Sequence, residues 1–154
     1  MRKRWIVGLS IIGLMAFTAG SCSSNDPVSV SSSPSGAVLA AGGVGVTLSD
    51  FGVVPAESSA SAGEITFDIK NDATVTIHEF VVFRSDLAPD LLPTDESGNV
   101  DEEGDGVEHI DEVEDIAPGA TESLTVTLDP GSYVLICNLP GHYHLGMHAA
   151  FTVV

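Results

Sequence analysis

Glu64-Ile65-Thr66-Phe67-Asp68-Ile69-Lys70 alternates strictly between polar and apolar residues. Successive side chains of an extended strand point to opposite faces, so this period of two places Ile65, Phe67 and Ile69 on one buried face. Ser123-Leu124-Thr125-Val126-Thr127-Leu128 alternates in the same way, and Asp129-Pro130-Gly131 behind it reads as a tight turn into the next run. Outward from these two stretches, short runs rich in Val, Ile, Thr and Phe recur between Gly, Pro, Asp and Asn, while helical periodicity is nearly absent. Strands are expected at about 44–48, 64–70, 79–83, 123–128, 132–137 and 149–154. Many short strands with turns and no helix give an all-β fold, a Greek-key β-sandwich or barrel.

One segment breaks the rhythm. Residues 86–119 are acidic and poor in aromatic residues, and they read as a long acidic loop insertion with a short helical turn around Asp111–Asp115. Loops of this length are usually functional or disordered.

The beginning of the chain reads as a targeting segment. Arg2, Lys3 and Arg4 precede an apolar stretch from Trp5 to about Gly20, which is short for a bilayer span of about 20 residues and has the layout of a signal peptide, residues 1–21. Ala19, Gly20 and Ser21 before Cys22 resemble the lipobox of bacterial lipoproteins, although position 19 usually carries Leu. That resemblance implies lipidation at Cys22, a membrane anchor through the acyl chains, and a place on the outer face of the cytoplasmic membrane or in the periplasm; ordinary secretion is the alternative. Residues 22–43 include the Ser/Pro-rich run 23–36, with nothing to bury, and read as a lipidated tether. The remaining 44–154 suffice for one domain with a modest core.

Removing residues 1–21 removes three of the five basic residues, and the formal net charge moves from −17 to −20. Such a field argues against nucleic acid and anionic lipid and favours a basic partner or a high-salt habitat. Thirteen of the 22 acidic residues lie between Asp86 and Asp115, so the charge is mostly local to the long loop.

Cys22 and Cys137 are the only cysteines. With Cys22 acylated, Cys137 is an unpaired thiol outside the cytoplasm, either an inert buried residue or a metal ligand. Its surroundings favour the ligand: Cys137-Asn138-Leu139-Pro140-Gly141-His142-Tyr143-His144-Leu145-Gly146-Met147 offers a thiolate, an imidazole and a thioether in one loop that Pro140-Gly141 can fold around a point. Those donors together select copper. Two His and one Cys with a weak axial Met make a blue-copper set, so a second histidine is required, and His78 at the head of the 79–83 strand is the best placed. His144 and His148 are expected to point away from the metal, and His109 to be solvated among acids.

Here the chain resembles the cupredoxins, the small blue copper proteins that include plastocyanin and azurin, over about 44–154. The ligand loop is most similar to those of sulfocyanin and rusticyanin. The resemblance implies a cupredoxin-like fold, one type 1 copper ion cycling between Cu(I) and Cu(II), and ligand roles for His78, Cys137, His142 and Met147. Many members carry Asn or Ser after the first histidine to brace the ligand loop. Glu79 stands there in this chain; if it cannot brace the loop, Asn138 or a backbone amide must.

Four protein donors leave no open position for substrate, so a carrier of single electrons is expected rather than an enzyme. Leu139, Pro140, Tyr143 and Leu145 are expected to surround His142 as an apolar collar facing a redox protein partner, such as a basic cytochrome or a membrane oxidase, with the protein itself a monomer. A copper-binding role in storage, delivery or resistance is the alternative. A multicopper oxidase domain would need histidines beside Cys137, which has Ile136 and Asn138 instead, and a binuclear copper loop would need a second cysteine. Asp101, Glu103, Asp105, Gly106 and Glu112 match the positions of an EF-hand-like calcium loop. Glu at its third position and the lack of flanking helices argue against calcium, and a solvated acidic surface or a docking patch is preferred.

Overall fold

The computed structural model describes residues 43–154; the expected signal peptide, Cys22 and nearly all of the expected tether lie outside the described residues. Among the described residues nine strands follow one another: β1 (Val44–Ser49), β2 (Gly52–Pro55), β3 (Ser59–Ala60), β4 (Gly63–Asn71), β5 (His78–Arg84), β6 (Glu108–Ile116), β7 (Thr121–Leu128), β8 (Gly131–Ile136) and β9 (His148–Val153). They form two sheets, ordered β2-β1-β4-β7 and β3-β9-β8-β5-β6. The chain is thus an all-β sandwich, and among the described residues no helix is long and apolar enough to cross a membrane.

Alternation decides what each sheet turns inward. In β4, paired with β7 so that Ile65 faces Val126 and Phe67 faces Leu124, the apolar set lies on the buried face as expected. Phe67 meets Phe80 and Phe151 of the opposite sheet at ring-centroid distances of 5.4 Å each, tilted and edge-on, geometries that aromatic pairs prefer. This interface is the main core, and Cys137 and Met147 belong to it.

β5 differs: His78 to Phe83 are all buried, a near-continuous run covered on both faces. Its outer side carries Val81 and Phe83, which join Val134, Ile136, Tyr143, Leu92 and Val100 in a second core. Leu92 and Val100 come from the acidic segment. That segment is therefore a cover as well as a solvated surface, with its acids outward and these apolar residues pinned to the sheet.

The expected helical turn at Asp111–Asp115 is absent, and the acidic loop ends earlier than expected, because 108–116 is strand β6 paired antiparallel with β5. Ile110, Val113 and Ile116 are three apart, a spacing that imitates a helix. Two register shifts against β5 account for it, each placing an extra residue on β6: Phe80 faces Val113 while His78 faces Ile116, and Val82 faces Asp111 while Phe83 faces His109. Bulges of this kind re-aim side chains, so residues three apart share a face. Asp115 at φ 54° lies in one of them, in the left-handed region that Asp tolerates better than most residues.

Candidate metal centre

His78 is delivered by Asn71. This fully buried side chain donates from Nδ2 to the carbonyls of Thr76 (2.9 Å) and Ile116 (2.8 Å), and its Oδ1 accepts from the Ala73 N–H (2.9 Å). The turn before β5 is thus wrapped round one amide and tied to Ile116, the residue paired with His78. Nothing in the local sequence around Asn71 marks it as a hub.

The other donors come from the β8–β9 connection. Gly141 at φ 83° and Gly146 at φ 104° take left-handed conformations that a side chain would strain. His142 N–H donates to Leu139 O, a single 3-10 turn follows at Tyr143–Leu145, and Met147 N–H donates to His142 O. Cys137 N–H donates to Met147 O at 3.1 Å and closes the loop. His78, Cys137 and Met147 have no exposed surface, and His142 is half-buried.

Cys137 Sγ lies 3.8 Å from His78 Nδ1 and 3.3 Å from His142 Nδ1, and the two imidazole centroids are 5.2 Å apart. These three ligand atoms form one compact group. Bond lengths of about 2.3 Å to sulfur and 2.0–2.1 Å to nitrogen, at 110–120°, would hold sulfur and nitrogen about 3.5–3.8 Å apart. The observed separations bracket that span, so the donors fit a single first-row ion.

Protonation agrees. Burial first, then the neighbouring His142, pushes the His78 imidazole below its usual value, against a small opposing pull from Asp50, which favours the neutral ligand form. Burial pushes the Cys137 thiol up, while backbone N–H groups of Glu79 and Leu139 favour its thiolate. The Glu79 N–H donates to Sγ at 3.3 Å. A buried thiolate with these donors and no cationic side chain is stabilised by a bound metal.

The profile of the "Copper binding proteins, plastocyanin/azurin family" matches residues 41–154. The chain belongs to this family. No curated protein sequence matches it. Among solved structures it is similar to the dithionite-reduced auracyanin of the photosynthetic bacterium Roseiflexus castenholzii, with 25% identity, 71% of this chain and 94% of that one covered, and TM-score 0.53. Auracyanin A, a "blue" copper protein from the green thermophilic photosynthetic bacterium Chloroflexus aurantiacus, is 25% identical over 73% of this chain and 100% of its own, with TM-score 0.46. Rusticyanin, at 16% identity, 71% and 76% coverage and TM-score 0.50, is alike in fold.

As a plastocyanin/azurin-family protein the chain takes copper; the clustered donors of His78, Cys137 and His142 would hold it, with Met147, buried in the same loop, as the expected fourth ligand. Copper supplies reversible gain and loss of one electron; the polypeptide supplies rigid donors and exclusion of water.

Other expected residues fall differently. Leu145 is exposed (57%) and Pro140 is also at the surface, whereas Leu139 is half-buried and packs against the core. Tyr143 is not part of the collar: it is buried in the second core, where its hydroxyl donates to Pro89 O and accepts from Leu92 N–H, both at 2.9 Å. Its position in the 3-10 turn aims it inward beneath the acidic segment. His144 and His148 stand off the donor group, their rings tilted against Tyr143. The calcium-like pattern is not assembled, since of its residues only Glu112, on β6, joins any compact group of metal-ligating atoms among those described.

The Glu79 backbone reaches Cys137 but its side chain does not brace the loop. Asn138 does: its Oδ1 accepts from Val100 N–H (2.7 Å), and its Nδ2 donates to Val100 O and Glu102 Oε1 (3.1 Å each). The Glu79 carboxyl is buried, and burial together with the charges of Glu112, Glu102 and Glu114 raises its pKa from 4.5 to about 7.

Proposed function

We propose that this protein is a type 1 copper carrier that passes single electrons between redox partners outside the cytoplasm, tethered through lipidated Cys22, and that it is not an enzyme. The observation that carries the reading is the closed donor set: three of the four ligands are fully buried, and only the half-buried His142 approaches the surface. Such a site has no vacancy for substrate, and donors fixed by Asn71 and the closed loop limit rearrangement when the charge changes. Exposed Leu145 and Pro140 beside His142 supply an apolar contact, and the acidic segment supplies the charge that steers a basic protein such as a cytochrome.

The test is an optical and spin-resonance spectrum of the copper-loaded protein with stepwise redox titration. An intense visible thiolate-to-copper band and reversible one-electron cycling support the carrier. A colourless protein that surrenders copper readily to a chelator removes it in favour of storage or delivery. Reduction rates by a basic cytochrome should fall as salt rises, and a rate indifferent to salt removes acidic docking. Mass spectrometry of the N-terminal peptide decides the anchor: a diacylated Cys22 supports it, and an unmodified Cys22 refutes it.

A further inference from the structure

Strand pairing of β8 with β5 and β9 stops at Ile136, just before Cys137 passes into Asn138. What flanks the chain there is the acidic segment. Asn138 makes three hydrogen bonds to it, two with the main chain of Val100 and one with Glu102 Oε1. Tyr143 reaches it through Leu92 and Pro89. His144 packs on it as well, since a methyl group added at Gly98, which sits at φ 83°, would lie 3.0 Å from the His144 ring. The segment thus touches the residue after Cys137 and the two residues after His142.

The part that makes most of these contacts is a closed hairpin, residues 93–101. Thr94 pairs with Val100 in an antiparallel bridge, Asp101 N–H donates to Pro93 O (2.9 Å), and Asp95 N–H donates to Asn99 O (2.8 Å). The Asp95 carboxylate fastens the turn by accepting from the N–H groups of Ser97 (2.8 Å) and Asn99 (3.0 Å). Leu92 and Val100 are buried in the second core with Ile136 and Tyr143. The hairpin is therefore tied within itself by Asp95 and onto the sheet by apolar burial.

We propose that this hairpin is the outer support of the copper site: Asn138 is a positioning residue for Cys137, and Asp95, whose hydrogen bonds lie within the hairpin, acts through Asn138. The direction of the Cys137 side chain sets how its thiolate meets the metal. That direction follows main-chain torsions which Asn138 holds from the other side of the peptide bond. Groups that orient ligands from outside belong to a metal site as much as the ligands do. Asn138 is only half-buried, so hydrogen bonds more than packing keep it in place. The Glu79 side chain leaves this role open, and the acidic segment fills it. That a fixed loop limits rearrangement during electron transfer rests on the copper-carrier reading; the mechanical link from Asp95 to Cys137 does not.

The test has two readouts. In copper-free protein, N138A and D95A should each speed amide exchange of the Cys137 N–H, which donates to Met147 O, at least about fivefold more than that of the β4 amides. In copper-loaded protein, both should change the copper hyperfine coupling and the ratio of the visible bands. D95N keeps the oxygen that accepts from Ser97 and Asn99 while removing the charge, so it should match wild type in both readouts. V126A truncates the core beside Ile65, near the other end of β4 from Asn71, and should lower stability without altering the spectrum. Exchange at Cys137 that rises no more than at β4 would overturn the proposal. So would D95N behaving like D95A, which makes the effect one of charge, or V126A reproducing the spectral change, which makes it a general loss of stability. Should the wild-type protein be colourless with copper, the carrier reading fails alone, and exchange in the copper-free variants still decides the positioning role.

Discussion

The backbone N–H of Glu79 points at Cys137 Sγ across 3.3 Å, so the residue after one copper ligand solvates another. Because the donor is main chain, no substitution at position 79 other than proline removes it. Cys137 itself has no substitute. C137S should abolish the intense visible absorption completely while leaving the far-ultraviolet dichroism of the sandwich intact; a variant that stays blue would show that the thiolate is not a ligand.

Asn138 holds Val100 by both its N–H and its carbonyl, as a neighbouring strand would. N138A leaves those two backbone groups without these partners, and each unsatisfied buried group costs about 1–3 kcal/mol. Lower stability is expected, with faster amide exchange at Val100 than at β4. Unchanged exchange there would show that the acidic segment is held by other means.

Tyr143 serves the second core through its hydroxyl. Y143F keeps the ring and deletes the bonds to Pro89 and Leu92, so a loss of about 1–2 kcal/mol in denaturant unfolding is expected, with the blue spectrum preserved. A loss of colour without loss of stability would instead place Tyr143 at the copper site.

The Glu79 carboxyl gives a dependence on pH of definite sign. Its pKa lies at about 7 in the folded chain against 4.5 as the reference. The folded state therefore holds a proton that the unfolded state releases, and stability falls as pH rises between those values. In copper-free protein without added divalent cations, E79Q should be more stable than wild type by about 1–3 kcal/mol at pH 8 and equal to it at pH 4. A variant no more stable at pH 8 would mean that the carboxylate is already compensated.

Much of this was readable in the chain. The alternation in 64–70 and 123–128 places the inner faces correctly, and the Cys, His and Met of one short loop point to their chemistry without a fold. His78 required the sandwich, since nothing in its neighbourhood but a strand start recommends it. β6 was unreadable because two bulges convert a spacing of three into one face of a strand. Leu92 and Val100 were hidden by the acids around them, and Tyr143 was misplaced because a 3-10 turn sends adjacent residues to opposite sides. The cluster around Glu79 joins residues up to 35 positions apart, and only strand pairing reveals it.

Of the four copper ligands, only His142 is not fully buried. For the carrier proposed above, that leaves a single doorway for electrons entering and leaving. Donor and acceptor then compete for the same patch and cannot be held at once, so turnover requires release of one before capture of the other, and affinity for either that is too high slows the whole relay.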